Sequence, residues 1–194
     1  MKLVVGTLST WSLRAWICSQ LASAEVELQG IDLQSESDKA ELRKLSPTGL
    51  VPALLIGDIV VHDSLAIAEY FNDFSDGALY PLSALEKAVA RSLCAELHAG
   101  FVTLRQQCPF SLHGVTPLTE VPKALEHELN RVDEIFCQAK GPFMFDSPGA
   151  VDAFYSVLAY RLADYQLPLS DKAKQYQQAL LDWPLLQQAI ALRY

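Results

Sequence analysis

Strand-like patterns occupy only the first 76 of the 194 residues, and that asymmetry constrains the fold more than any other feature. "KLVVGT" (2–7) reads as a buried strand, and "SLRAWICSQLAS" (12–23) has helical spacing, with Leu13, Trp16, Ile17 and Leu21 on one face. "EVELQGIDL" (25–33) alternates as a second strand, and "ESDKAELRKL" (36–45) reads as a short polar helix. "PALLIGDIVVHD" (52–63) predicts two strands joined by a tight Gly57-Asp58 turn. "SLAIAEYFNDF" (64–74) predicts a helix capped by Asp63 or Ser64. The order β-α-β-α-β-β-α implies a mixed sheet covered by helices.

After the Gly/Pro-bearing connector "DGALYPLSA" (76–84), only helical patterns follow. Residues 85–105 read as one long helix, and 106–118 as a loop with two prolines and a glycine. Between 120 and 139, Val121, Leu125, Leu129, Val132 and Phe136 mark one apolar helical face. "VDAFYSVLAYRLADY" (151–165) is apolar nearly all round, as a central buried helix should be. Shorter helices follow Ser170 and Trp183. The expectation is an α/β domain over 1–76 and an all-α domain over 85–194.

Composition narrows the function. The net charge of −8, with 15 basic against 23 acidic residues and no Lys/Arg cluster, argues against nucleic-acid partners. No apolar run reaches the ~18–20 residues of a membrane span, and the N-terminus lacks a signal-peptide pattern, so a cytoplasmic location is expected. Cys18, Cys94, Cys108 and Cys137 are scattered without metal or CxxC spacing, which fits buried, reduced thiols. His62, His98, His113 and His127 show no ligand-like arrangement, and no metal is expected.

Two stretches carry chemistry. In "SPTGLVPALL" (46–55), Pro52 either initiates a strand or follows a cis bond that turns the Val51 backbone toward a ligand. In "LSTWSLRAW" (8–16), Ser9, Thr10 and Ser12 lie between strand and helix with no neighbouring base. Ser9 or Ser12 would cap the helix.

Taken with the β-α-β-α order, "VPAL…GDIVVHDSLAIAEYF" resembles the thioredoxin-like N-terminal domain of glutathione S-transferases. Pro47, Gly49, Val51, Pro52, Leu54, Asp63, Ser64, Ala66, Ile67 and Tyr70 match its P-x-G-x-V-P-x-L…(E/D)-S-x-A-I-x-x-Y pattern. The helical remainder has the length expected of that fold. "STWSLRAW" is similar to a bacterial serine-type subgroup opening "SSWSLRPW".

The resemblance implies a glutathione-dependent enzyme. The Val51 backbone beside Pro52 would pair with the cysteinyl part of glutathione. Asp63 would take the γ-glutamyl ammonium, and Ser64 with the helix-start N–H groups its carboxylate. Ser9, five residues before Arg14, would be the catalytic serine, with Thr10 beside it. Ser9 would donate its proton to the glutathione thiolate, so no base is needed. Trp11, Phe101 and Arg105 would bind an electrophilic small molecule between the domains, and a homodimer is implied.

Some residues depart from the pattern. Leu50 replaces a common Lys or Gln, for which Arg43 or Lys44 could compensate at the glycyl carboxylate. Gly149 supplies only half of the capping box that Asp152 would complete. Ser9-Thr10-Trp11 differs from the Ser-Ser-Cys opening of maleylacetoacetate isomerases, and the lack of CxxC disfavours a disulfide reductase. Leu50 also keeps open a non-catalytic binding or regulatory protein of the same fold.

Overall fold

The computed structural model describes residues 1–192. Arg193 and Tyr194, the last two residues of the expected helical domain, lie outside the described residues. The chain divides into two compact units, Met1–Tyr80 with the segment from Gln188, and Pro81–Gln187.

The first unit contains β1 (Lys2–Gly6), α1 (Thr10–Leu21), β2 (Glu27–Ile31), α2 (Glu36–Leu45), β3 (Ala53–Ile56), β4 (Ile59–His62) and α3 (Ser64–Phe74). The sheet order is β2-β1-β3-β4. Strand β1 runs parallel to β2, pairing Val4 with Gln29, and antiparallel to β3, pairing Val4 with Ala53. The α1 crossover between parallel strands and the two-residue turn into β4 make this thioredoxin-like order.

Because successive strand residues point to opposite faces, each buried strand serves two layers. Val4, Ile31 and Ala53 pack with Leu42 of α2 on one face, and Leu33, Leu45, Val51, Leu55 and Val60 close around them. Leu3, Val5 and Leu54 are buried on the other face, where α1 and α3 pack together and against the sheet. Each fully buried Leu, Ile or Val contributes roughly 1.5–3 kcal/mol.

The second unit is helical: α4 (Ala84–Ala99), α5 (Val102–Gln107), α6 (Lys123–Phe136), α7 (Ala150–Asp164) and α8 (Asp171–Leu181). A last helix, α9 (Pro184–Ala191), begins in this unit and continues into the segment assigned to the first. Twelve residues of α7 are buried, as its all-round apolar sequence predicts. Tyr155 donates to the Leu93 carbonyl at 3.0 Å, and the Phe136 ring meets Tyr155 and Tyr176 edge-on. Asp152 gathers N–H bonds from Met144 and Gly149 and an O–H bond from Tyr176 at 2.6 Å. Gly149 has no side chain to return the bond, so the capping box stays half-built, and Tyr176 supplies Asp152 with a third donor.

The expected single helix over 85–105 is two helices. Gly100 leaves helical geometry at ψ −165, and Phe101 adopts a left-handed conformation at φ 55. The break is held from outside: Glu128 on α6 accepts from Thr103 N at 3.1 Å and Leu104 N at 2.7 Å. These are orphan donors of the first turn of α5, which has no side-chain cap of its own. Helix α6 also starts later than 120, because Pro122 occupies its N-cap.

Candidate functional site

Two serines compete for the start of α1, and the geometry gives them different tasks. Ser9 is the N-cap, and its Oγ accepts from Ser12 N at 3.2 Å. The Ser12 hydroxyl is turned back to the end of β1, where it accepts from Gly6 N at 3.0 Å. Ser12 therefore ties strand to helix, while Ser9 caps. The Ser9 hydroxyl proton has no acceptor among the described residues. The helix begins at Thr10 rather than at 12. Thr10 is buried, and its Oγ1 lacks any hydrogen-bond partner. Leu8, immediately before Ser9, is held at φ 58, a conformation costing a non-glycine residue of order 1–2 kcal/mol.

The Val51–Pro52 bond is cis, and β3 starts at Ala53, after the proline. Gly6 matters here because a Cβ on it would lie 2.6 Å from Val51 Cγ2 and 2.9 Å from Leu33 Cδ1. The bare backbone at the end of β1 lets the Val51 loop come down beside the start of α1.

Asp63, not Ser64, caps α3. Its Oδ1 accepts from Leu65 N at 2.7 Å and Ala66 N at 3.4 Å, and its backbone sits at φ 78. Ser64 is fully buried, and its Oγ has no hydrogen-bond partner. In both helix starts a residue with positive φ thus precedes a serine, and an orphaned hydroxyl lies within the next two positions.

Trp11 is half-buried, with the Arg14 guanidinium carbon 5.3 Å from its ring centroid. Arg14 itself is almost fully buried, which its role as a spacing marker in the sequence did not foretell. Phe101 and Arg105 belong to the helical unit. Neither stands on the long helix expected for them: Phe101 is buried in the break, and Arg105 on α5 donates to the His98 carbonyl at 3.3 Å. Arg43 and Lys44 are exposed on the last turn of α2, and Leu50 is 67% exposed.

Burial pushes the Cys18 thiol far above its ordinary range, although the Arg14 charge works against this. Cys94 and Cys108 are also buried, whereas Cys137 is only half-buried, against the expectation for it. Among the described residues no helix is long and apolar enough to cross a membrane, and no group of three side chains is placed to ligate a metal.

Residues 8–73 match the family model "Glutathione S-transferase, N-terminal domain". A probable maleylacetoacetate isomerase of Caenorhabditis elegans is 31% identical over 97 residues, covering 50% of this chain and 45% of that protein. Glutathione S-transferase 1 of Dianthus caryophyllus is 36% identical over 91 residues, covering 46% and 41%. The chain thus spans about half the length of the curated relatives it matches. A Burkholderia glutathione transferase homolog, crystallised with bound glutathione, superposes with a TM-score of 0.72 at 22% identity, covering 97% of this chain and 95% of that one. Residues 8–73 thus carry the match to a glutathione S-transferase N-terminal domain, and the chain has the glutathione S-transferase fold.

Proposed function

We propose that the chain is a glutathione-dependent transferase in which Ser9 donates its hydroxyl proton to the glutathione sulfur and holds it as a thiolate. The observation that carries this is the Ser9 hydroxyl itself: its oxygen is used by the Ser12 N–H, and its proton is unspent.

The magnitudes are sufficient. Lowering a thiol pKa from ~8.5 by about two units needs ~2.7 kcal/mol. A hydrogen bond to a charged group supplies roughly 1.5–3 kcal/mol, and a helix N-terminus adds ~0.3–1. Asp63 takes the γ-glutamyl ammonium, while Ser64 takes its carboxylate at the start of α3, where Leu65 N and Ala66 N already donate to Asp63 Oδ1. The orphaned Ser64 Oγ fits that assignment, since a buried hydroxyl gains most from a partner brought by a ligand. The Val51 backbone beside Pro52 pairs with the cysteinyl unit, and the orphaned Thr10 Oγ1 supplies a further polar contact.

The thiolate then attacks an electrophilic carbon. With an aromatic chloride, a C–S bond forms and chloride leaves with its bonding pair. With an isomerisable substrate, the C–S bond of the adduct breaks again after rotation and the thiolate leaves with the bonding pair. Trp11, Phe101 and Arg105 are assigned to the electrophile, 1–76 to glutathione, and 85–194 to the helical domain. The two names among the relatives, a transferase and an isomerase, support this reaction class.

The similarity of "STWSLRAW" to the "SSWSLRPW" opening supports assigning the chain to the bacterial serine-type subgroup, working in the cytoplasm. The exposed Leu82, Leu85 and Val89 around the start of α4 suit burial against a second copy. Turnover of chlorodinitrobenzene by the wild type and by Ser9→Ala tests the proposal. Glutathione binding without turnover across a panel of electrophiles would replace it with the non-catalytic binding protein.

A further inference from the structure

Arg161, on α7, is about nine-tenths buried, and its Nε is sealed from solvent without a partner. No hydrogen bond or ion pair joins its guanidinium to any described residue, Asp164 one turn along the helix included. A buried cation left in this state is costly, and native proteins nearly always pair one. The groups whose charge bears on it offer no anion. Arg105 adds a second positive charge, and burial pushes the Cys108 thiol and Tyr165 phenol upward, so both are neutral near pH 7. Desolvation first, and Arg105 second, lower the Arg161 pKa to about 10, which still leaves it charged.

We propose that Arg161 and Arg105 form, within the helical unit, a binding site for an organic carboxylate, and that the electrophile carries this group. The second half rests on the transferase reading above; the first does not. A carboxylate meets the planar fork of a guanidinium with two parallel hydrogen bonds, which a spherical or tetrahedral anion matches less well. Sequence reading passed over Arg161 because it sits in an apolar stretch, "LAYRLADY", where long side chains usually snorkel to water.

The test uses the full chain without glutathione. Calorimetry should show benzoate binding, benzamide failing to bind, and phosphate and chloride binding much more weakly. Arg161→Met should weaken benzoate by about 10–100-fold, while its melting temperature equals or exceeds the wild type's, because the unpaired charge is gone. Arg161→Lys, which keeps the charge but loses the fork, and Arg105→Met should give smaller losses. They stand in for Arg161→Met should it fail to fold. In turnover, Arg161→Met should slow a chloronitrobenzoate and spare chlorodinitrobenzene. Benzoate binding no tighter than benzamide or phosphate, or unchanged by these substitutions, overturns the site. If benzoate binds as expected but neither chloride is turned over, the site stands, and both its link to the electrophile and the transferase reading are overturned.

Discussion

Replacing Ser9 with alanine removes two interactions at once, and the structure allows them to be separated. The first is the cap: Ser9 Oγ accepts from Ser12 N at 3.2 Å, and losing such a bond costs about 1 kcal/mol. The second is the proposed hydrogen bond from Ser9 to the glutathione sulfur, worth roughly 1.5–3 kcal/mol, or about 1–2 pKa units. The sign is fixed. Without the donor the bound thiol is less acidic, so at saturating glutathione the rising limb of kcat moves to higher pH by about 1–2 units. Near neutral pH that means a loss of about 10–100-fold, shrinking at alkaline pH where the thiol ionises unaided. Ser9→Gly separates the effects, because glycine restores the cap to within a few tenths of a kcal/mol but not the hydroxyl. The two variants should therefore differ in melting temperature and agree in activity. Ultraviolet titration of the bound thiolate reads the acidity directly. An unchanged thiol pKa in both variants, or activity that tracks stability instead of the hydroxyl, would refute the argument.

Ser64→Ala should leave the ligand-free protein as stable or up to about 1 kcal/mol more stable, since it deletes a buried hydroxyl without a partner. The same change should weaken glutathione by about tenfold in calorimetry. Glu128→Ala should destabilise the helical unit by about 1–3 kcal/mol and raise amide exchange at Thr103 and Leu104, whose N–H groups it caps. Glu128→Gln should recover part of this. Iodoacetamide should label Cys137 first and leave Cys18 unmodified until the protein unfolds, because burial keeps the Cys18 thiol protonated.

What the sequence made legible follows the range of the interactions involved. Helices α2 and α3 and the hairpin at Gly57-Asp58 are set by local spacing and turn chemistry, and their observed limits agree with the reading. The start of α1 is not local. Ser9 and Ser12 are both good caps, and the choice falls to Ser9 because Ser12 is drawn to Gly6 N, on the preceding strand. The break at Gly100-Phe101 is less local still. An isolated glycine is tolerated in a helix, and here the interruption is completed by a carboxylate 24 and 25 residues downstream. Of the candidate site, Ser9, Thr10, Val51, Pro52, Asp63 and Ser64 came from one motif and one topology. The division of labour between Asp63 as cap and Ser64 as buried hydroxyl needed coordinates.

The orphaned groups share a physical logic. A buried hydroxyl without a partner costs about 1–3 kcal/mol, and the fold bears that at Thr10 Oγ1 and Ser64 Oγ. Both residues are the first of a helix, where N–H groups already lack partners within the helix. In each case the residue one or two positions earlier is forced to positive φ, so the chain turns abruptly into the helix. Stability alone would favour alanine at both positions and an unstrained entry. On the proposed reading, a ligand rich in carboxylate and amide oxygens would reverse the balance, because its acceptors would meet two hydroxyls that have no competing bonds to break. The same reasoning applied to Arg161 predicts that ligand binding, and not folding, is what makes these costly groups worth keeping.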